Sequence, residues 1–125
     1  VTVSGTFTVT GLYNFGGSDS TIEIAADGSS CSGRGGFGDI AAGTSVTVYD
    51  AAGTIVGTTP LGQGNGERMW SDDVEHDPDL YYGPCTLPFS VQVPDSPFYQ
   101  VEVSYRGKST VQRADAASVA LTLGS

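Results

Sequence analysis

The chain has 125 residues, and its 18 Gly, 14 Ser and 13 Thr fill 45 positions with small or hydroxyl side chains that favour turns and strands over helices. Fourteen acids against five bases leave a net charge of −9, which repels phosphate backbones and anionic membrane surfaces and argues against nucleic-acid binding. The length suits one domain, residues 1–125, with a single core and no room for a second catalytic domain.

Val1, Val3, Phe7, Val9 and Tyr13 occupy odd positions while Thr2, Ser4, Thr6, Thr8 and Thr10 occupy even ones. This period of two predicts a first strand with one face in a core and one in water. Gly5 within it reads as a bend or bulge. Gly16, Gly17, Ser18, Asp19 and Ser20 supply turn chemistry, and Thr21–Ala26 comes next as a second strand with Ile22 and Ile24 inward. Asp27–Gly38 is a Gly/Ser-rich connection carrying Cys31, whose glycines permit positive φ. Ser45–Tyr49, with Val46 and Val48 on one face, leads through Asp50, Ala51, Ala52 and Gly53 into Thr54–Thr59, a clear β-hairpin.

Residues 62–84 break the pattern. They combine Gly62, Gly64 and Gly66 with six acids between Glu67 and Asp79 and keep neither a period of two nor one of 3.6, so they read as a long loop. Alternation returns at Leu87, Phe89, Val91 and Val93, stops at Pro94–Pro97, and returns at Tyr99, Val101, Val103 and Tyr105. Arg106, Gly107 and Lys108 form a turn, a short segment surrounds Val111, and Val119, Leu121 and Leu123 mark a last strand. Arg113–Ala117 has room for one helical turn at most. Seven or eight short strands with turn signals between them predict an all-β fold, a two-layer antiparallel β-sandwich. No apolar run approaches the length that a bilayer-spanning helix requires. The chain starts at Val1 without Met or a leader-like apolar stretch, so it reads as an excised ectodomain or mature fragment.

Cys31 and Cys85 each stand beside turn-forming residues, and neither belongs to a CxxC pair. A zinc site would need His76 and a carboxylate to complete it, whereas a disulfide needs nothing else. A Cys31–Cys85 bond is therefore expected. It implies an oxidising compartment, and scarce Lys with abundant Gly, Ser and Thr fits an extracellular or cell-envelope location.

The acidic loop offers the first candidate chemistry. Asp73, Glu75, Asp77 and Asp79 alternate, and calcium takes six to eight oxygens from acidic loops of this kind. The EF-hand pattern is not met, because Pro78 and Pro84 stand where its Gly and bidentate Glu would be. Any calcium site would be irregular, and the plainer reading is a solvated loop that keeps the protein soluble. His76, the only histidine, would have to carry any Ser-His-Asp or Cys-His mechanism, yet no nucleophile elbow selects a serine and paired cysteines leave no thiolate. Glu67, Asp72 and Glu75 could supply a glycosidase pair, as any acidic loop could. Gly33–Gly38 lacks the Lys and subsequent helix of a phosphate loop. Trp70, Tyr81 and Tyr82 either form an amphipathic platform for a sugar or protein partner or cap the end of the sandwich.

From Ile40 to Tyr105, the stretch Gly43-Thr44-Ser45-Val46-Thr47-Val48-Tyr49-Asp50-Ala51-Ala52-Gly53, then Phe89-Ser90-Val91-Gln92-Val93-Pro94 and Phe98-Tyr99-Gln100-Val101-Glu102-Val103, resembles carboxypeptidase-regulatory-like and transthyretin-like sandwich modules. With Cys31-Ser32-Gly33, Phe37-Gly38-Asp39-Ile40, Cys85 and Tyr105-Arg106-Gly107 added, residues 31–124 also look like a domain of actinobacterial lipoproteins and membrane-anchored envelope proteins. The resemblance implies an Ig-like or prealbumin-like Greek-key sandwich, with a structural, adhesive or ligand-binding role. The acidic insertion departs from the compact pattern. The expectation is thus a non-catalytic extracellular or envelope module for a protein or glycan partner, with loop 62–84 as its working surface. A calcium-stabilised ligand-binding domain is the alternative, and a hydrolase comes third.

Overall fold

The computed structural model describes residues 1–14, 20–68 and 80–124. Strand β1, Thr2–Asn14, carries the odd-position alternation found in the sequence, and Val3, Phe7 and Val9 are buried on it. Short strands β2 (Ile22–Ile24) and β3 (Cys31–Gly33) pair antiparallel with each other, and a 3₁₀ turn comes next at Gly35–Phe37. The predicted hairpin forms as β4 (Ser45–Tyr49) and β5 (Ile55–Pro60), and a register shift at Val48/Tyr49 makes a bulge in it. Then come β6 (Asn65–Gly66), β7 (Leu80–Gln92), β8 (Phe98–Val103), β9 (Lys108–Gln112), a 3₁₀ helix at Arg113–Ser118, and β10 (Val119–Gly124).

These strands make two four-stranded sheets, ordered β10-β1-β7-β6 and β5-β4-β8-β9, beside the small β2-β3 pair. Inward-facing side chains of both large sheets, Val3, Phe7, Val9, Cys85, Leu87 and Phe89 from one and Val46, Val48, Tyr99, Val101 and Val103 from the other, form one apolar cluster. Ile22 and Ile24 of the small sheet join it. The fold is thus the expected β-sandwich, with ten strands among the described residues in place of seven or eight. The additional two are β3 and β6, three and two residues long, too short to carry a legible alternation.

Several local expectations change. Residues 80–84 belong to β7, which pairs antiparallel with β1 through thirteen positions from Thr2↔Gln92 to Asn14↔Leu80. Gly83-Pro84 reads locally as a break, yet pairing with Gly11 and Thr10 overrides it. Within the expected loop, Asn65 and Gly66 pair with Thr86 and Cys85. Asp27–Gly38 is likewise more ordered than a connection, since it contains β3 and the 3₁₀ turn.

Gly5 is not a bulge, because the β1–β7 register runs through it unbroken, opposite Phe89, and the β1–β10 ladder starts at it, opposite Val119. A Cβ there would lie 1.9 Å from the Val119 carbonyl oxygen, so glycine admits the close approach of β10. That last strand runs parallel to β1, a departure from a wholly antiparallel sandwich. The six-residue 3₁₀ helix Arg113–Ser118 carries the chain across from β9 and buries Ala116, where the sequence predicts one turn at most.

The Cys31–Cys85 disulfide forms, with 5.7 Å between the two Cα atoms, and ties β3 to β7. No free cysteine is present. Such a bond persists in an oxidising compartment. Among the described residues no helix is long and apolar enough to cross a membrane.

Candidate functional site

The predicted working surface divides into three parts. Trp70, the carboxylates Asp73, Glu75, Asp77 and Asp79, and His76 lie outside the described residues. Tyr82 is exposed on β7. Tyr81 is fully buried, so it cannot join a solvent-facing platform with Tyr82, and the physical reason is the period of two that sends adjacent strand residues to opposite faces. Its ring stacks on Tyr13 with centroids 5.0 Å apart, and the Arg68 guanidinium lies 4.5 Å above it. The Tyr81 hydroxyl accepts the Ile24 N–H (2.9 Å) and donates to the Ile24 carbonyl (3.1 Å). In an extended residue these two groups point the same way, so the phenol takes the place of a neighbouring strand and latches β2 onto β7. Among the described residues no three His, Cys, Asp or Glu side chains gather as a metal would require.

A different face collects exposed aromatic surface. Because Val46 and Val48 of β4 point inward, Ser45, Thr47 and Tyr49 point out of the β5-β4-β8-β9 sheet. On β8, Gln100 and Glu102 share that outer face, opposite Tyr49 and Thr47 respectively. The Tyr49 hydroxyl donates to Glu102 Oε1 at 2.9 Å, a diagonal cross-strand contact. This hydrogen bond to the Glu102 carboxylate raises the Tyr49 phenol above its ordinary value of 10.0. Lys108 Nζ, on the next strand beyond Glu102, sits 4.0 Å from the ring centroid. Ile55, opposite Tyr49 across the bulge, is 59% exposed.

The β8–β9 turn adds Tyr105. Alternation from Tyr99 through Val103 assigns it to the core, but the strand ends at Val103 and Tyr105 is 97% exposed. Ser104 causes the reversal. It has φ 54°, and it is the one residue other than glycine at positive φ among the described residues. Such a backbone costs about 1–2 kcal/mol for an L-residue, and surrounding contacts hold it. The Ser104 N–H donates to Ser45 O (2.9 Å), and the Arg106 N–H donates to Val103 O (3.1 Å). The Arg106 guanidinium grips both carboxylate oxygens of Asp39 and lies 5.4 Å from the Phe37 ring centroid. Hydrogen bonds, chiefly from Arg106 and also from the Ser104 side chain, hold the Asp39 carboxyl below its ordinary value of 3.8.

Tyr49, Ile55, Glu102 and Tyr105 line an open groove of about 460 Å³, together with Ser45, Thr47, Asp39 and Ser104. The groove combines aromatic and aliphatic surface with hydroxyls, and its charges are already engaged inside the protein. The other cations are engaged too. Arg34 pairs with Glu23, Arg113 with Asp95, and Arg68 Nε donates to the Ile24 carbonyl, so all five basic side chains have internal partners. Comparisons with protein families, with curated proteins and with solved structures find no match for the chain.

Half of this site is legible in the sequence. Inward Val46 and Val48 imply an outward Tyr49 by parity alone. Tyr105 is hidden because its place in the alternation is that of a core residue, and the turn signal Arg106-Gly107 that displaces it begins one residue later.

Proposed function

We propose that this chain is a non-catalytic extracellular or cell-envelope interaction module that binds its partner through the outer face of the β5-β4-β8-β9 sheet. The observation that carries this reading is Tyr105, a large aromatic side chain 97% exposed on a turn whose Ser104 backbone is held at φ 54°. The fold gains almost no burial from that side chain and sustains an unfavourable backbone beside it. Strained residues held by their surroundings cluster at sites where presentation matters. Preorganised tyrosines are also frequent anchors of binding surfaces. The disulfide and the resemblance of residues 31–124 to actinobacterial envelope ectodomains support the location.

Binding of the labelled domain to whole cells of its source organism tests the reading. Tyr105→Ala is expected to weaken that binding by at least about tenfold while Tm stays at the wild-type value, since the side chain is almost wholly in solvent. Undiminished binding by the variant would sink the proposal.

A further inference from the structure

Resting on that reading, we infer that the groove between Tyr49, Ile55 and Tyr105 takes a neutral glycan chain, through stacking of sugar C–H faces on the two tyrosines and hydrogen bonds to Ser45, Thr47 and Glu102. Charge makes the first selection. With a net −9 and every basic side chain engaged, the protein repels acidic polysaccharides, nucleic acids and anionic lipid surfaces. The groove itself is balanced. Asp39 is matched by Arg106, and Glu102 accepts from Tyr49 directly opposite Lys108, so a cationic ligand finds no uncommitted carboxylate pair there.

Size and composition make the second selection, against a protein partner. A stable protein interface covers about 800 Å² per partner, with 20–30 residues a side and an apolar centre. Here the large apolar contributions are Tyr49, Ile55 and Tyr105, surrounded by hydroxyl side chains. A volume of about 460 Å³ lies instead within the ~300–1,000 Å³ typical of small-ligand sites. The groove is open to solvent and not an enclosed cavity, so a ligand in it need not be wholly engulfed. A sugar ring offers what these side chains recognise: an apolar face for a phenol ring, rimmed by hydroxyls that both donate and accept. The Ser104 turn, clamped by Asp39 and Arg106, fixes Tyr105 before the ligand arrives and so lowers the ordering cost of binding.

The test uses the intact, oxidised domain and a delipidated cell-wall fraction of the source organism, with Tyr105→Ala as the control. The Tyr105-dependent component of binding is expected to survive protease treatment of the wall, to disappear after periodate oxidation of its sugars, and to stay within about twofold between roughly 50 and 500 mM salt. Loss to protease with resistance to periodate would overturn the glycan assignment and leave the interaction reading standing, because the partner would then be a protein. A steep loss with salt would also overturn it, because the partner would be charged. If neither the untreated wall nor whole cells bind in a Tyr105-dependent way, both readings fail together.

Discussion

Tyr81→Phe separates a structural tyrosine from a binding one. The substitution keeps the buried ring, its stack on Tyr13 and its place beneath Arg68, and removes only the hydroxyl. That hydroxyl satisfies the Ile24 N–H at 2.9 Å and bonds the Ile24 carbonyl at 3.1 Å. The carbonyl retains Arg68 Nε at 2.9 Å, so the variant leaves one buried donor, the Ile24 N–H, without its partner. An orphaned buried donor costs about 1–3 kcal/mol, so we expect a loss of roughly 2 kcal/mol. For a domain of this size that corresponds to a fall in Tm of roughly 8 °C. Urea unfolding monitored by tyrosine and tryptophan fluorescence measures the free energy, and an unchanged slope with denaturant would show that the comparison is between like states. Amide exchange at Ile24 should accelerate in parallel. Tyr82→Phe, whose side chain is exposed, serves as the control and should stay within about 0.5 kcal/mol of wild type. If Tyr81→Phe proves as neutral as the control, the latch between β2 and β7 is refuted.

Three other perturbations have defined outcomes. Replacing both Cys31 and Cys85 by Ala reopens a loop with a sequence separation of 54, and the chain-entropy relation gives a loss of about 4 kcal/mol. Equilibrium unfolding reads that loss, and non-reducing mass spectrometry of the wild type should find no free thiol. Gly5→Ala drives a methyl into the Val119 carbonyl and should cost about 2–3 kcal/mol while exposing β10 to limited proteolysis; retention of wild-type protease resistance would contradict the close β1–β10 approach. Asp39 has its folded-state pKa depressed by Arg106 and Ser104, so its contribution is complete above the ordinary value of 3.8 and is lost as pH falls through the lower folded value. Stability measured from about pH 5 down to about pH 2 should therefore fall less steeply in Asp39→Asn than in wild type, and parallel curves would count against the clamp.

Legibility in the sequence tracks the range of the interactions involved. The β1 alternation, the β4–β5 hairpin and the inward valines of β8 are local patterns, and they appear where the alternation places them. The pairing of Leu80–Pro84 with β1 is not local. Its partners lie about seventy positions away, and Gly83-Pro84 masks it with a turn signal. Gly5 misleads for the same reason, since the feature that demands a glycine is the Val119 carbonyl at the other end of the chain. For the candidate site, parity places Tyr49 correctly and misplaces Tyr105, because a single residue at positive φ reverses the face of its C-terminal neighbour. The Asp39–Arg106 clamp, with a sequence separation of 67, carries no sequence signal at all.

Binding through the outer face of the β5-β4-β8-β9 sheet can be mapped residue by residue. Amide chemical-shift mapping of the isotope-labelled domain, titrated with soluble fragments released from the source organism's cell wall, tests it most directly. Saturable shifts confined to residues 44–49, 55 and 102–106 are expected. Shifts centred instead on Tyr82 and the outer face of β7, or on the acidic segment from Glu67 to Asp79, with the Tyr49–Tyr105 groove silent, would contradict it.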